Sequence, residues 1–327
     1  MILQLPERTS LARLGTPLQY LPRLSQEMGV AMWTKRDDMT GSVLSGNKVR
    51  KLEFAVADAK AQGADTLITC GGTQSNHCRA TAIVGAQLGL RVHLVLAGDN
   101  LDGPDGNLLL DRLAGAEITL VSPDVFGAGL NTEIEKVAEQ ERRAGRKPYV
   151  VPLGASFEPG LWGYILAMEE LKADCAAAGI TPEVIAFATG SGGTQAGLVL
   201  GNAIHDLGAR VIGYSVSGSQ DDVTVRVREQ MQSWKARYGA PLNVDALPIE
   251  VDDRYVGPGY GQATKEVFDT IARAGRQEGL ILDPVYTGKA MHGLLSELNR
   301  GLRGVKTAVF IHTGGMFGLF PQRAAFA

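Results

Sequence analysis

The chain is poor in the features that would place it in an oxidising compartment or a membrane. Its three cysteines, Cys70, Cys78 and Cys175, cannot all pair and show neither a Cys-x-x-Cys nor a zinc-type spacing. That pattern excludes a disulfide framework and offers no metal ligand set. The first residues, Met1-Ile2-Leu3-Gln4-Leu5-Pro6-Glu7-Arg8, hold no basic region followed by a long apolar run. No signal peptide or membrane span is expected, and the cytoplasm is the expected location. Neither sign of charge dominates: 32 basic and 35 acidic residues leave a formal net charge of −3, with no long basic run. Nucleic acid is therefore not an expected partner. No repeat of fixed period and no low-complexity linker interrupts the chain.

What is present is the composition of an enzyme with many tight turns. A chain of 327 residues, 45% hydrophobic and only 6% aromatic, has room for two domains or one elaborate one. Its 41 glycines suit numerous strand-to-helix turns. From about residue 50, short β-branched runs alternate with longer amphipathic segments, the pattern of βα units around a mostly parallel sheet. Strands are predicted at 66–70, 92–97, 117–121, 149–153, 184–189, 211–216 and 307–313. Helices are predicted near 48–61, 76–88, 105–114, 130–144, 160–178, 194–207, 222–238, 261–275 and 288–300.

One stretch, Ser45-Gly46-Asn47-Lys48-Val49-Arg50-Lys51-Leu52-Glu53-Phe54, opens a helix with a lysine in its first turn. The helix dipole favours anions there, so Lys48 needs a reason. A nucleophilic amine for an aldehyde cofactor is one, with Lys51 on the same face supplying a second cation or a phosphate ligand. A solvated basic face, Lys48-Arg50-Lys51, is the alternative that this stretch leaves open.

In open α/β sheets ligands bind beyond the carboxyl ends of strands, and polar clusters follow several predicted strands here. Gly71-Gly72-Thr73-Gln74-Ser75-Asn76-His77 puts four or more polar side chains at a helix mouth, more than a single cap requires. Gly190-Ser191-Gly192-Gly193-Thr194-Gln195-Ala196-Gly197 offers bare N–H groups at a helix start, a phosphate cradle unless it is a plain tight turn. A dinucleotide fingerprint fits less well, because Gln195 stands where the third glycine belongs and no acid follows the next strand. Asp283-Pro284-Val285-Tyr286-Thr287-Gly288-Lys289 and His312-Thr313-Gly314-Gly315 add a phenol and hydroxyls, although Tyr286 could be a core aromatic and His312 a satisfied buried imidazole. An amine, a phosphate cradle, hydroxyls and a phenol together suit pyridoxal 5'-phosphate.

These stretches together resemble the fold-type II pyridoxal-phosphate enzymes, in the group that contains D-cysteine desulfhydrase, L-cysteate sulfo-lyase and 1-aminocyclopropane-1-carboxylate deaminase, with D-cysteine desulfhydrase nearest. The resemblance runs from Leu14-Gly15-Thr16-Pro17-Leu18 to Thr313-Gly314-Gly315. It implies a tryptophan synthase β-like α/β fold of two domains, each an open, mostly parallel twisted sheet flanked by helices. Residues 1–50 and 158–327 would form the large cofactor-binding domain and 51–157 a small inserted one. It also implies a homodimer acting on a small amino acid. Lys48 would bear the cofactor and shuttle the Cα proton. Lys51 and Gly190, Ser191, Gly192, Gly193 and Thr194 would hold the phosphate, and Asn76 the ring hydroxyl. Ser75, with Asn76 and His77, would meet the substrate carboxylate or serve as an acid/base partner, and Tyr260 and Tyr286 would line the substrate side.

Two positions sort the members of that group. The cyclopropane deaminases are expected to carry glutamine at His77 and glutamate at Thr287, where the acid would protonate the pyridine nitrogen. Thr287 and Thr313 offer only neutral hydroxyls there, which favours β-elimination from D-cysteine over ring opening. A sulfonate such as L-cysteate would want further cations or donors, and the apolar loop Gly315-Met316-Phe317-Gly318 leans toward a thiol. A nicotinamide-dependent oxidoreductase remains the alternative from another class.

Overall fold

The computed structural model describes residues 4–326. In chain order its elements are β1 (Leu18–Tyr20), α1 (Pro22–Met28), β2 (Ala31–Lys35), α2 (Asn47–Ala61), β3 (Thr66–Gly72), α3 (Asn76–Leu88), β4 (Arg91–Ala97), α4 (Gly106–Leu113), β5 (Glu117–Val121), α5 (Pro123–Ala128) and α6 (Leu130–Arg143). They continue with β6 (Pro148–Val150), α7 (Glu158–Ala178), β7 (Val184–Thr189), α8 (Gly193–His205), β8 (Arg210–Ser215), α9 (Gln220–Tyr238), β9 (Glu250–Asp252), α10 (Lys265–Glu278), α11 (Thr287–Leu298) and β10 (Thr307–Ile311).

Two sheets result. The larger runs β1-β2-β10-β7-β8-β9, parallel except where β1 meets β2; the smaller runs β5-β4-β3-β6, all parallel, and is built wholly from residues between β2 and β7. Parallel strands covered on both faces should be continuously apolar, and β7, Val184-Ile185-Ala186-Phe187-Ala188-Thr189, is buried at every position. Helices on the two faces of the larger sheet close separate cores, one centred on Leu161, Met168 and Trp234, the other on Met291, Leu294 and Phe310.

Strands β1, β2 and β9, and helices α1 and α5, were not visible in the sequence pattern. The strands are three to five residues long, too short for a periodicity, and they exist because neighbours offer an edge: β10 to β2, β2 in turn to β1, and β8 to β9. The last strand ends at Ile311, so His312 and Thr313 lie in the loop beyond it.

Helix α2 is set against α7 at unusually close range. A Cβ on Gly163 would lie 2.4 Å from the Arg50 carbonyl oxygen and 2.8 Å from the Lys51 nitrogen, so only glycine permits this approach. The same helix pair is tied by charge. Arg50, 2% exposed, forks onto Asp37 at 2.9 and 2.7 Å and reaches Glu170 at 3.0 and 3.1 Å, while Lys35 pairs with Glu170 and Asp174. The start of α2 is thereby fixed relative to the large sheet, and Lys48 with it.

Candidate active site

A cleft of about 270 Å³ lies between the two sheets, at the carboxyl ends of β3, β7 and β10. That is where parallel sheets leave loops free to diverge and helix N-termini free to point at a ligand. Lys48, Ser75, Asn76, His77, Gly190, Ser191, Gly192, Thr194, Tyr260, Tyr286 and Thr313 all line it. Sequence positions more than two hundred residues apart thus meet around one space.

Lys48 projects from the first turn of α2, its Nζ donating to Asn47 Oδ1 at 3.0 Å and lying 5.9 Å from the centre of the Tyr286 ring. Burial, with the Arg79 charge in support and Asp283 opposing, pulls its pKa down to about 8. About a tenth of the amine is then neutral and nucleophilic at pH 7, far more than at the ordinary lysine pKa of about 10.4. Asn47 in turn donates to Thr194 Oγ1 at 3.0 Å, so one amide links the lysine to the glycine loop.

The glycine loop turns into α8 with Gly192 at φ 90° as its N-cap. Lys51 is not on the cleft wall but directly behind this loop, donating to Ser156 Oγ at 2.9 Å, and Ser156 Oγ sits 2.7 Å from Ser191 Oγ and accepts from Gly193 N at 3.3 Å. Arg226 lines the cleft and donates to the Gly190 carbonyl at 2.7 Å. Burial, then the Lys48 charge, holds Lys51 well below its ordinary pKa. Lys48, Lys51 and Arg226 gather around this end of the cleft, and among the described residues no carboxylate lines it. Such a site is short of an anion, and free N–H groups at a helix start with two hydroxyls and a lysine behind them suit a phosphate.

This cradle has no spare room. A Cβ on Gly193 would fall 2.5 Å from Ser156 Oγ and 2.8 Å from Lys51 Nζ. Gly193→Ala is therefore expected to weaken cofactor affinity roughly ten- to hundredfold, the equivalent of about 1–3 kcal/mol of overpacking. Titration of apoprotein with pyridoxal phosphate, followed by visible absorbance, reads this directly; an unchanged affinity would place the phosphate elsewhere.

On the small-sheet side, Ser75 caps α3 by accepting from Cys78 N at 3.2 Å. Asn107 donates to Asn76 Oδ1 at 3.1 Å, fixing that amide so that its nitrogen remains a free donor. His77 is 2% exposed, with Nε2 2.8 Å from Thr69 Oγ1 and no partner for Nδ1. Burial, then the charges of Lys48 and Lys51, push its pKa well down, so the imidazole is neutral.

Tyr260 and Tyr286 meet hydroxyl to hydroxyl at 2.6 Å. Half of the Tyr260 surface faces solvent, yet its hydroxyl end is turned inward, and lost hydration raises the pKa of both phenols. They stay protonated and able to donate.

Two sequence expectations need correction. Thr287 is fully buried and absent from the cleft wall: its hydroxyl donates to Asp283 Oδ1 at 2.7 Å and accepts from Asp283 N at 2.8 Å. Asp283, buried at the head of α11, also accepts from Val285, Tyr286 and Thr287 N–H groups, so it claims the threonine as part of a helix cap. Thr313 and Thr189 do stand on the cleft wall, and the Thr189 hydroxyl has no hydrogen-bond partner. The Met316–Phe317 pair also stays off the wall; Phe317 lies under the Arg79 guanidinium at 4.8 Å. His312 has both nitrogens satisfied, by the Ile281 carbonyl at 2.9 Å and Gly314 N at 3.2 Å, which is the plain buried imidazole.

Asn47, Ser156, Thr189, Ser217 and Arg226 joined the site without warning from the sequence. Asn47 could have been found, as it adjoins Lys48; Ser156 and Arg226 carry no local motif.

Among described residues, no helix is long and apolar enough to cross a membrane. The family model of pyridoxal-phosphate dependent enzymes matches residues 9–314. A bifunctional D-cysteine desulfhydrase/1-aminocyclopropane-1-carboxylate deaminase, mitochondrial, of Arabidopsis thaliana is 40% identical over 334 residues, covering 97% of this chain and 80% of that protein. A 1-aminocyclopropane-1-carboxylate deaminase of Burkholderia multivorans is 37% identical over 327 residues, 95% of each chain. Among solved structures, one described as an ACC deaminase homologue superposes with a TM-score of 0.90 at 38% identity, covering 98% of this chain and 95% of that one.

Proposed function

The chain belongs to the pyridoxal-phosphate dependent enzyme family, and from that premise we propose that it is a carbon–sulfur lyase, converting D-cysteine to pyruvate, sulfide and ammonia. The observation that carries this reading is the absence, among the described residues, of any carboxylate from the cleft wall. An acid beside the pyridine nitrogen would keep it protonated and deepen the electron sink; Thr189 and Thr313 offer hydroxyls alone. A thiolate leaves readily once the Cα proton is gone, whereas opening a carbon ring asks more of the sink.

Pyridoxal phosphate, when bound, supplies a carbonyl that condenses with amines and a π-system that takes up the electrons released at Cα. The chain's residues do the rest. Lys48 would hold the cofactor through its amine, and that amine, when free, would take the Cα proton. Ser75, the free amide nitrogen of Asn76 and the α3 N-terminus face the substrate carboxylate. The Cβ–S bond breaks, and the protonated Tyr260–Tyr286 pair stands ready to give the departing thiolate a proton. Water then hydrolyses the released unsaturated amine to pyruvate and ammonia, which balances the reaction. Sulfite elimination from L-cysteate would follow the same course, with Arg226 a further cation on the cleft wall.

A second reading, 1-aminocyclopropane-1-carboxylate deamination, draws on the names of the Arabidopsis and Burkholderia relatives, the former bearing both activities. One experiment separates them: visible spectra of the holoenzyme during titration with D-cysteine, L-cysteate and 1-aminocyclopropane-1-carboxylate, with sulfide, sulfite, pyruvate and 2-oxobutyrate assayed in parallel. Sulfide and pyruvate from D-cysteine support the proposal. Turnover of the cyclopropane alone, with D-cysteine inert, overturns it. The reading also carries a homodimer, which light scattering of the purified holoenzyme checks.

A further inference from the structure

Tyr260 is carried by a segment held at few points, one of them the Gly261 carbonyl, which accepts from Gln322 Nε2 at 3.1 Å. Between β9 and α10, residues 253–264 contain no buried position. Gly257, Gly259 and Gly261 flank the tyrosine at φ 67°, 143° and 79°, conformations that leave the backbone free to re-orient on either side. The base of the segment is pinned, Tyr255 Oη donating to Glu297 Oε1 at 2.7 Å. The tip has no apolar anchor of its own.

Into this tip reaches Lys289 from α11. Its side chain is fully buried, and its ammonium donates to the Val256 carbonyl at 2.7 Å and the Gly259 carbonyl at 2.8 Å. These are the carbonyls on either side of the Gly257–Pro258 turn, immediately before Tyr260. No carboxylate lies within ion-pair distance of it among the described residues. A buried ammonium hydrogen-bonded only to carbonyls, with the Asp283 charge helping from beyond ion-pair distance, is a costly way to stabilise a fold, and an apolar side chain of the same length would serve a core better. The placement makes sense as a clamp on geometry. Tyr286 and Lys289 sit within one turn of the same helix, so the element that presents one phenol also fixes the loop that presents the other, and their hydroxyls meet at 2.6 Å.

We propose that Lys289 is a positioning residue that clamps the 256–261 turn and so sets Tyr260 against Tyr286 over the cleft. The inference rests on the functional reading above for the role of the phenols. Lys289 touches neither substrate nor cofactor; it acts through Tyr260. A general acid displaced by about 1 Å loses on the order of a hundredfold in rate while substrate binding by other groups persists.

The test is a double-mutant cycle on the holoenzyme with Lys289→Met and Tyr260→Phe, read in kcat and KM with D-cysteine and 1-aminocyclopropane-1-carboxylate, beside hydrogen exchange of residues 256–262. Lys289→Met is expected to lower kcat about tenfold or more, with KM and the cofactor band nearly unchanged, and to speed exchange of the loop amides by a similar factor. In the Tyr260→Phe background the same substitution should cost less than about twofold, since residues acting as one unit are not additive. Equal losses in both backgrounds, or loop exchange that does not change, would overturn the clamp. Should Lys289→Met not yield folded holoenzyme, Lys289→Gln keeps a donor of shorter reach and enters the same cycle with a smaller expected loss and the same overturning results. If the wild type turns over neither substrate, the functional reading fails while loop exchange still decides the clamp.

Discussion

Lys48→Ala is expected to lower turnover of D-cysteine by at least about four orders of magnitude, because it removes both the amine that holds the cofactor carbonyl and the base at Cα; a positioned base alone is worth roughly 10²–10⁴. The fold should survive. Lys48 opens onto the cleft and makes a single hydrogen bond, to Asn47. Its ammonium is in fact disfavoured where it sits, burial and Arg79 having brought its pKa to about 8. Thermal unfolding should therefore shift little or upward, while pyruvate release disappears and the visible band of bound cofactor changes. A variant that keeps more than a few per cent of wild-type sulfide release would refute the assignment of Lys48 as the chemical centre.

The second large effect lies away from the reacting atoms. Arg50→Met is expected to destabilise the protein by about 3–5 kcal/mol, the usual result of stripping one partner from a buried ion pair, and to lower the melting temperature by roughly 4–7 °C. Asp37 would remain fully buried with only Thr16 Oγ1 at 2.8 Å and Tyr164 Oη at 2.7 Å to answer its charge. Activity should fall as well, because Arg50 fixes the turn of α2 that carries Lys48.

The same network gives stability a pH dependence. Burial alone would raise the Glu170 pKa, but Arg50 and Lys35 outweigh it and hold the carboxyl at about 2. A carboxylate whose folded pKa lies below its unfolded value, about 4.3, stabilises above that value and loses its contribution as pH falls toward the folded one. Melting temperature should thus decline as pH drops from about 4.5 to 2, and Arg50→Met should flatten the decline. A melting curve of the variant that keeps the full wild-type slope would show that Glu170 does not depend on Arg50.

The helices and central strands were legible because their signals are local. Predicted helices at 76–88 and 130–144 met observed Asn76–Leu88 and Leu130–Arg143, since a 3.6-residue apolar period and a polar first turn need no information from elsewhere. The glycine loop before α8 was legible for the same reason. Strand β2 was not, because Ala31–Lys35 is half apolar and becomes a strand only when β10 lies beside it. Thr287 misled for a related reason. Its place after a tyrosine said nothing of Asp283, four residues back, folding over to take its hydroxyl into a helix cap.

The sequence by itself determined the α/β alternation, the mostly parallel sheets, the lysine at the head of α2, and the contiguous motifs at 71–77 and 190–194 that meet at the cleft. Each is a run of neighbouring residues whose chemistry is complete within one turn of chain. Tertiary structure alone decided what those motifs face: Ser156 behind the glycine loop, Arg226 over Gly190, no acid on the wall among the described residues, and a buried Lys289 beneath the Tyr260 turn. Those contacts join residues about 30 to more than 100 positions apart. They depend on how helices and sheets pack, which the order of residues along one element does not encode.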